Sequence, residues 1–373
     1  MKKNILNPNS FIGPIKQFEL NLSKIKISKP KTVQVKLAFE QLMNKIEVYH
    51  KKIHFGQKKK IIDNILNILI HKEIYLGSVN YYDLNKKYVS GQIDYFINKN
   101  LPVQFSLLGL PHKMPNQLLT DEKDAGGTEV AMLLRLNFIL KQIKKIYPPG
   151  ALINFFTEQN IFACLSDISN QESNQYINSV KQLIYKLGLS QSIIFKDLIF
   201  YEKQFPEFNK IYLENVNYFK NNHKESVEKT RLNFFYTSND QSLSLKESTQ
   251  VFNLKITLNE LKPYLRYYRI NFWEKTLPLS IQYLAYHKTR KILNFMDKIA
   301  TNNIKLTVAP KVGSIGINLI NSKTLILPYY GYLVFNKDDY TIKYKIDILG
   351  KAKNYLEITD LKGKLWYFET ILT

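Results

Sequence analysis

Between Leu101 and Cys164 the chain runs through an apolar stretch, a polar loop from Pro111 to Gly127, a long amphipathic stretch, a Pro-Pro-Gly corner and a second apolar stretch. No other feature limits the fold as strongly. A strand, a helix of this length and another strand form a parallel crossover, which twist makes right-handed. Val103–Leu108 reads as a mostly buried strand, Ala151–Phe156 as its neighbour, and Asn160–Leu165 as a third. In the intervening helix Met132, Leu136, Ile139, Ile143 and Ile146 form one apolar stripe, while Arg135, Lys141, Gln142, Lys144 and Lys145 fall largely off it. Tyr147-Pro148-Pro149-Gly150 ends the helix: Pro148 keeps Tyr147 from helical angles, and Pro149-Gly150 suits a type II turn.

The flanking sequence is less sharply patterned. Residues 1–34 are polar, with Pro8, Pro14 and Pro30, and read as an extended surface arm. Helices are expected at Val35–His50, Lys60–Lys72, Asn174–Leu187 and Leu277–Ile299. Ile74–Asn100 is a tyrosine-rich connection without an assignment, and Asn222–Lys246 is a polar, hydroxyl-rich loop. After Ile193–Phe195, short strands are expected at Ile304–Val308, Ile315–Ile320, Leu325–Leu327, Tyr332–Phe335, Tyr340–Ile346, Tyr355–Ile358 and Leu365–Thr370. They read as a largely antiparallel sheet ending in a meander.

Composition narrows the function classes. An apolar share of 45% can fill a core, and no apolar run approaches the roughly eighteen residues that span a bilayer. The basic start is followed by Pro8-Asn9-Ser10 where a signal peptide needs apolar residues, so a soluble, cytoplasmic chain is expected. A single cysteine, Cys164, rules out an internal disulfide framework and a cysteine-cluster metal site, and no metal is predicted. The net charge of +22 favours anionic partners. The lysines are dispersed, however, with one dense cluster at Lys58–Lys60 after Lys51-Lys52, and no recognition motif accompanies them. Nucleic-acid binding is therefore the weakest reading.

Several stretches carry a resemblance. Pro111-His112-Lys113-Met114-Pro115-Asn116, Glu129 in the next helix, and Tyr147-Pro148-Pro149-Gly150-Ala151 resemble the isocyanide (isonitrile) synthases, also known as pyoverdine/dityrosine biosynthesis proteins. That family carries a Pro-x-Lys-Ser-x-Asn loop, an acidic residue in the next helix and a Tyr-Pro-Pro-Gly-Ala corner. Its Ser-Asp-Gly turn resembles Thr157-Glu158-Gln159, its Ile-Arg-Leu-Ser-Ile-His-Pro resembles Ile304–Pro310, and its Pro-Trp-His-Gly resembles Pro328-Tyr329-Tyr330-Gly331. The family arginine is Lys305 here, its histidines are Ala309 and Tyr330, and an aspartate is Cys164. Lysine keeps the charge of arginine but loses the fork that grips a phosphate.

The resemblance implies conversion of the amino group of tyrosine or tryptophan to an isonitrile, with ribulose 5-phosphate as carbon donor and neither metal nor redox cofactor. A partner oxygenase in the same pathway is a further implication. The substitutions leave a second reading open, a catalytically altered homologue that binds or modifies another amino acid-like metabolite or acts as a scaffold. Chemistry joining an amine to a sugar-phosphate carbonyl needs an anion cradle, a group for the ammonium and an acid to release water. Lys113, the N–H groups at Gly126, Gly127 and Thr128, and Lys305 are the expected cradle. Glu129 is expected on the amine, His112 and Tyr330 as proton donors or acceptors, and Asn116 and Tyr329 against the substrate. Blander roles compete: a solvated Lys113, Glu129 serving the helix dipole, an exposed His112, Asn116 capping its turn, and a packed tyrosine pair.

The fold expectation is an α/β domain over 35–335, with a mixed sheet, a parallel Rossmann-like crossover core and helices on both faces. Residues 336–373 are expected as an antiparallel β-extension of the same domain.

Overall fold

The computed structural model describes residues 29–77, 79–110, 113, 120–157, 168–228, 230, 272–308, 312–320, 327–337 and 339–371. The elements are β1 (Lys31–Gln34), α1 (Ala38–Lys51), α2 (Ile61–Leu69), α3 (Val79–Asn98), β2 (Val103–Leu108), α4 (Gly127–Ile146) and β3 (Ala151–Thr157). Next come α5 (Asn170–Lys186), β4 (Ile193–Asp197), α6 (Leu198–Glu202), α7 (Phe208–Asn222), α8 (Phe272–Ile292) and α9 (Phe295–Ile299). The chain continues with β5 (Ile304–Thr307), β6 (Ile315–Gly316), a 3-10 turn (Pro328–Tyr330), β7 (Tyr332–Asn336), β8 (Asp339–Lys343), α10 (Lys345–Leu349), β9 (Tyr355–Thr359) and β10 (Leu365–Thr370).

The β2–α4–β3 crossover forms as the sequence predicts. Val103, Phe105 and Leu107 align with Ala151, Ile153 and Phe155 across a parallel pair. Three more strands extend this sheet to the order β4-β3-β2-β5-β6, with every pairing parallel. The residues of β2 that alternate with Gln104 and Ser106 lie in the main core that α3 and α4 share. On the reverse face Phe156 packs with Leu198, Phe208, Tyr286, Leu293 and Phe295, so α6 to α9 cover that side.

The expected single mixed sheet resolves into two. The second has the order β1-β9-β10-β7-β8. Its β7–β8 and β9–β10 pairs are antiparallel, but β10 joins β7, and β1 joins β9, in parallel. The meander is corrected accordingly. The surface-arm reading of 1–34 also changes, because Lys31–Gln34 is an edge strand whose Lys31 sits beside Leu356; residues 1–28 lie outside the described set. The unassigned Ile74–Asn100 holds α3, and Ile315–Ile320 contains the two-residue β6. The helix expected at Leu277–Ile299 breaks at Asn294, whose φ of 48° is left-handed, a conformation asparagine tolerates. The strand expected at Asn160–Leu165, residues 325 and 326 of the one expected at Leu325–Leu327, and residues 229 and 231–246 of the expected loop fall outside the described residues.

α4 lies between the two sheets. Its residues share one core with Phe105 and Ile153 on one side and with Leu333, Tyr340, Trp366 and Tyr367 on the other. Every residue from Gly127 to Leu136 is therefore buried, including Arg135, which the single-stripe reading placed off the core-facing side. A two-layer sandwich would leave that side wet. The second sheet covers it, and Arg135 Nε donates to the Asn318 carbonyl at 2.8 Å.

Candidate active site

The start of α4 is built around a carboxylate. Gly127 is glycine for a steric reason: a Cβ there would lie 1.7 Å from the Trp366 carbonyl oxygen, so β10 docks directly on the helix backbone. At Gly126 a Cβ would lie 2.5 Å from Glu122 Oε2. These close approaches let Glu129 turn back on the helix entry. Its Oε2 accepts from the Gly126 N–H at 2.7 Å and from the Thr128 hydroxyl at 3.0 Å. The expected free anion cradle is thus corrected at Gly126, whose N–H Glu129 itself occupies, and Glu129 takes the Thr128 hydroxyl as well.

Lys113 is fully buried against this carboxylate. Its Nζ lies 3.1 Å from Glu129 Oε1, 3.0 Å from Oε2, and 3.0 Å from Glu122 Oε2. Burial pulls the Lys113 ammonium down, but Glu129 and Glu122 more than restore it, and its pKa is raised. A lysine held this way is a charged anchor, and its charge is matched by carboxylates before any phosphate arrives. The Tyr176 hydroxyl, from α5, completes the ring by donating to Glu129 Oε1 at 3.0 Å. α5 starts at a reciprocal cap in which Ser169 Oγ accepts from the Glu172 N–H at 3.2 Å.

Glu122 is the residue that sequence reasoning missed. It sits in an irregular loop, where no periodicity marks it, nine positions from Lys113. Its side chain is 18% exposed, against 0% for Glu129. Burial raises its pKa, and the Glu129 charge adds to the rise while Lys113 opposes it. A carboxyl group biased toward its protonated form suits a proton donor. The loop is held from several sides: Ala125 N–H to Ser179 Oγ at 2.7 Å, Gln175 to Asp124 at 2.9 Å, Lys364 to the Ala125 carbonyl at 3.0 Å, and Asp121 N–H to Tyr332 Oη at 2.8 Å.

Tyr329 and Tyr330, on the 3-10 turn that packs against α4, meet edge to face at 4.4 Å. Burial first, then Tyr329, pushes the Tyr330 phenol well above its ordinary range. Both phenols add, behind burial and Glu129, to a similar rise at Tyr176. Lys305 does not join the group. Its strand neighbours Ile304 and Leu306 face the main core, so alternation turns Lys305 to the opposite side of the sheet, where it pairs with Asp297 at 3.1 Å. His112, Asn116, Glu158, Cys164 and Ala309 lie outside the described residues.

A model of the pyoverdine/dityrosine biosynthesis protein family matches residues 93–279, half of the chain. The chain belongs to that family. Among curated proteins it is similar to the L-tyrosine isonitrile synthase of Xenorhabdus nematophila, 22% identical over 125 residues, covering 32% of this chain and 37% of that protein. It is also similar to the L-tryptophan isonitrile synthase of Fischerella ambigua, 28% identical over 98 residues, covering 26% and 29%. The match thus spans about a third of each relative's length. The crystal structure of the PvcA protein from Pseudomonas aeruginosa superposes with a TM-score of 0.60 at 15% identity, covering 84% of this chain and all of that one. The likeness bears out the α/β fold expected of the family, and the matched segment carries β2, α4 and Glu129. Among the described residues no helix is long and apolar enough to cross a membrane, and no cluster of His, Cys, Asp and Glu could hold a metal ion.

Proposed function

We infer that this family member is an isonitrile-synthase-like enzyme joining the amino group of an aromatic amino acid to a carbon of ribulose 5-phosphate. The observation that carries the reading is the buried Lys113–Glu122–Glu129 centre beside Tyr176, Tyr329 and Tyr330. With Glu122 protonated the group is neutral overall, and its carboxyl oxygens still offer acceptors to a substrate ammonium. Its tyrosines offer edges and faces to an aromatic side chain. Glu129 is saturated by donors and serves to position. Glu122, biased toward its protonated form and part exposed, protonates the hydroxyl that departs as water when amine and carbonyl condense, leaving Glu122 ionised.

With Lys305 on the other face, the sugar phosphate needs another cation. A cleft of about 790 Å³ beside the 120–126 loop is lined by Gln175, Asn178, Gln182 and Lys364, with Asp124, held by Gln175, as its one acid. Its amides suit a polyhydroxyl chain and Lys364 suits the phosphate. The product would pass to an oxygenase of the same pathway.

Incubation with tyrosine or tryptophan and ribulose 5-phosphate, read by mass spectrometry, tests this. An isonitrile is expected; a folded sample yielding none with any aromatic amino acid refutes it. The complete enclosure of Lys113 favours one second reading, a metabolite-binding homologue without turnover. Calorimetric binding of an amino acid with no product distinguishes it.

A further inference from the structure

A second site lies further along α4, away from the carboxylate centre. Glu129 and Phe138 are nine residues apart on one helix, which places them roughly 13 Å apart along its axis. Around Phe138 the C-terminal end of α1, the 53–57 loop, α2 and the far half of α4 enclose a cleft of about 630 Å³. That volume is within the range of small-molecule sites.

Its lining joins two chemistries. Phe55 and Phe138, both half-buried, form an aromatic wall with ring centres 5.9 Å apart. His50 stacks on Phe138 at 4.7 Å and 15°. At the rim stand Lys51, Lys141 and Lys145, all exposed, against one acid, Glu47. The wall is braced, since Asn64 exchanges hydrogen bonds with the Lys58 backbone at 2.6 and 2.8 Å and so ties the loop to α2.

Two buried groups set the site apart from a basic surface patch. His50 is 5% exposed, and its Nε2 has no hydrogen-bond partner. Behind it lies Arg135, 0% exposed, bonded through Nε to the Asn318 carbonyl, set beside the Tyr340 phenol, and with no ion pair to a carboxylate among the described residues. Buried groups of this kind are normally satisfied. A buried guanidinium without an ion-pair partner adds positive potential to the cleft. A ligand with a nitrogen heterocycle for the rings and His50, and an anion for the lysines, answers both.

We propose that this cleft binds a nucleoside phosphate, its base against Phe55 and Phe138 and its phosphate among Lys51, Lys141 and Lys145. The site is separate from the chemistry proposed at Glu122 and Glu129.

Isothermal titration of the full chain with AMP, GMP, UMP and CMP tests the assignment, with adenosine and inorganic phosphate as the two halves of the ligand. At least one nucleotide is expected to bind one to one, with each half at least tenfold weaker. Exchanging the exposed lysines in Lys141→Glu/Lys145→Glu is expected to weaken that nucleotide at least tenfold while circular dichroism stays unchanged. Phe55→Ser tests the ring contact and is expected to weaken the nucleotide without altering phosphate binding. Three results each overturn the proposal: no binding by any of the four, binding matched by phosphate alone, or affinity indifferent to the lysine exchange.

Discussion

Replacing Lys113 by methionine tests the centre most directly. The substitution keeps most of the volume but removes the ammonium lying 3.0 Å from both Glu122 and Glu129. Removing one partner of a buried pair costs about 3–5 kcal/mol, since the remaining charge is stranded. Glu129 keeps its bonds from Gly126, Thr128 and Tyr176, so the loss belongs near the lower end, about 3 kcal/mol. The double variant Lys113→Met/Glu129→Gln no longer strands that charge and should recover at least half of the loss. The pH response also changes sign. In the native protein the Lys113 pKa is raised, so its contribution is intact at neutral pH and disappears only above the ordinary lysine range. In the single variant the stranded carboxylates bind protons more tightly folded than unfolded, and stability rises as pH falls from 7 toward 5. Urea denaturation of the three proteins at several pH values reads all of this. A single-variant loss below about 1 kcal/mol, with additive behaviour in the double, refutes the idea that the pair is buried and coupled.

Glu122→Gln should lower kcat by about 10²–10⁴-fold, and should flatten an alkaline decline in kcat/KM that starts above the usual carboxylate range, measured by product formation against pH. Gly127→Ala drives a Cβ into the Trp366 carbonyl and should cost more than the roughly 1–3 kcal/mol of ordinary overpacking by urea melt. Burial and, less strongly, Arg135 lower His50 to about 3, so only the unfolded chain gains its proton as pH drops below the ordinary histidine value. His50→Leu should therefore remove up to about 1.4 kcal/mol per pH unit of acid sensitivity between pH 6 and 4, read as the difference in stability slopes. Lys305→Met breaks a pair exposed at 40% and 68% and should change both stability and activity little, within about 0.5 kcal/mol by melt.

The crossover was legible because local rules set it. Alternation marks β2, the stripe marks α4, and Tyr147 to Gly150 ends the helix. The position of Lys305 was also legible, since Ile304 and Leu306 flank it on a strand with one core face, although matching it to the family arginine drew attention from that alternation. The double burial of α4 was not legible, because a second sheet from residues far along the chain covers the flank that Arg135 occupies. The pairing of Lys31 with Leu356 leaves no mark near either residue. Glu122 was hidden for a different reason: only the folded loop brings it to Lys113, and loop spacing carries no periodic signal. At Gly126 and Gly127 the sequence signal was real, but its cause is the crowding of Glu122 and the Trp366 backbone.

The docking of Trp366 on Gly127 bears on the order in which a nascent chain matures. The crossover can collapse while the ribosome is still synthesising later segments, but the entry of its helix has no lid until residues 355–370 emerge. Lys364, which grips the Ala125 carbonyl, arrives in the same late installment. The helix entry is therefore completed only after the crossover it serves, and a stalled product ending before Leu365 would hold most of its core without the strand that covers Gly127.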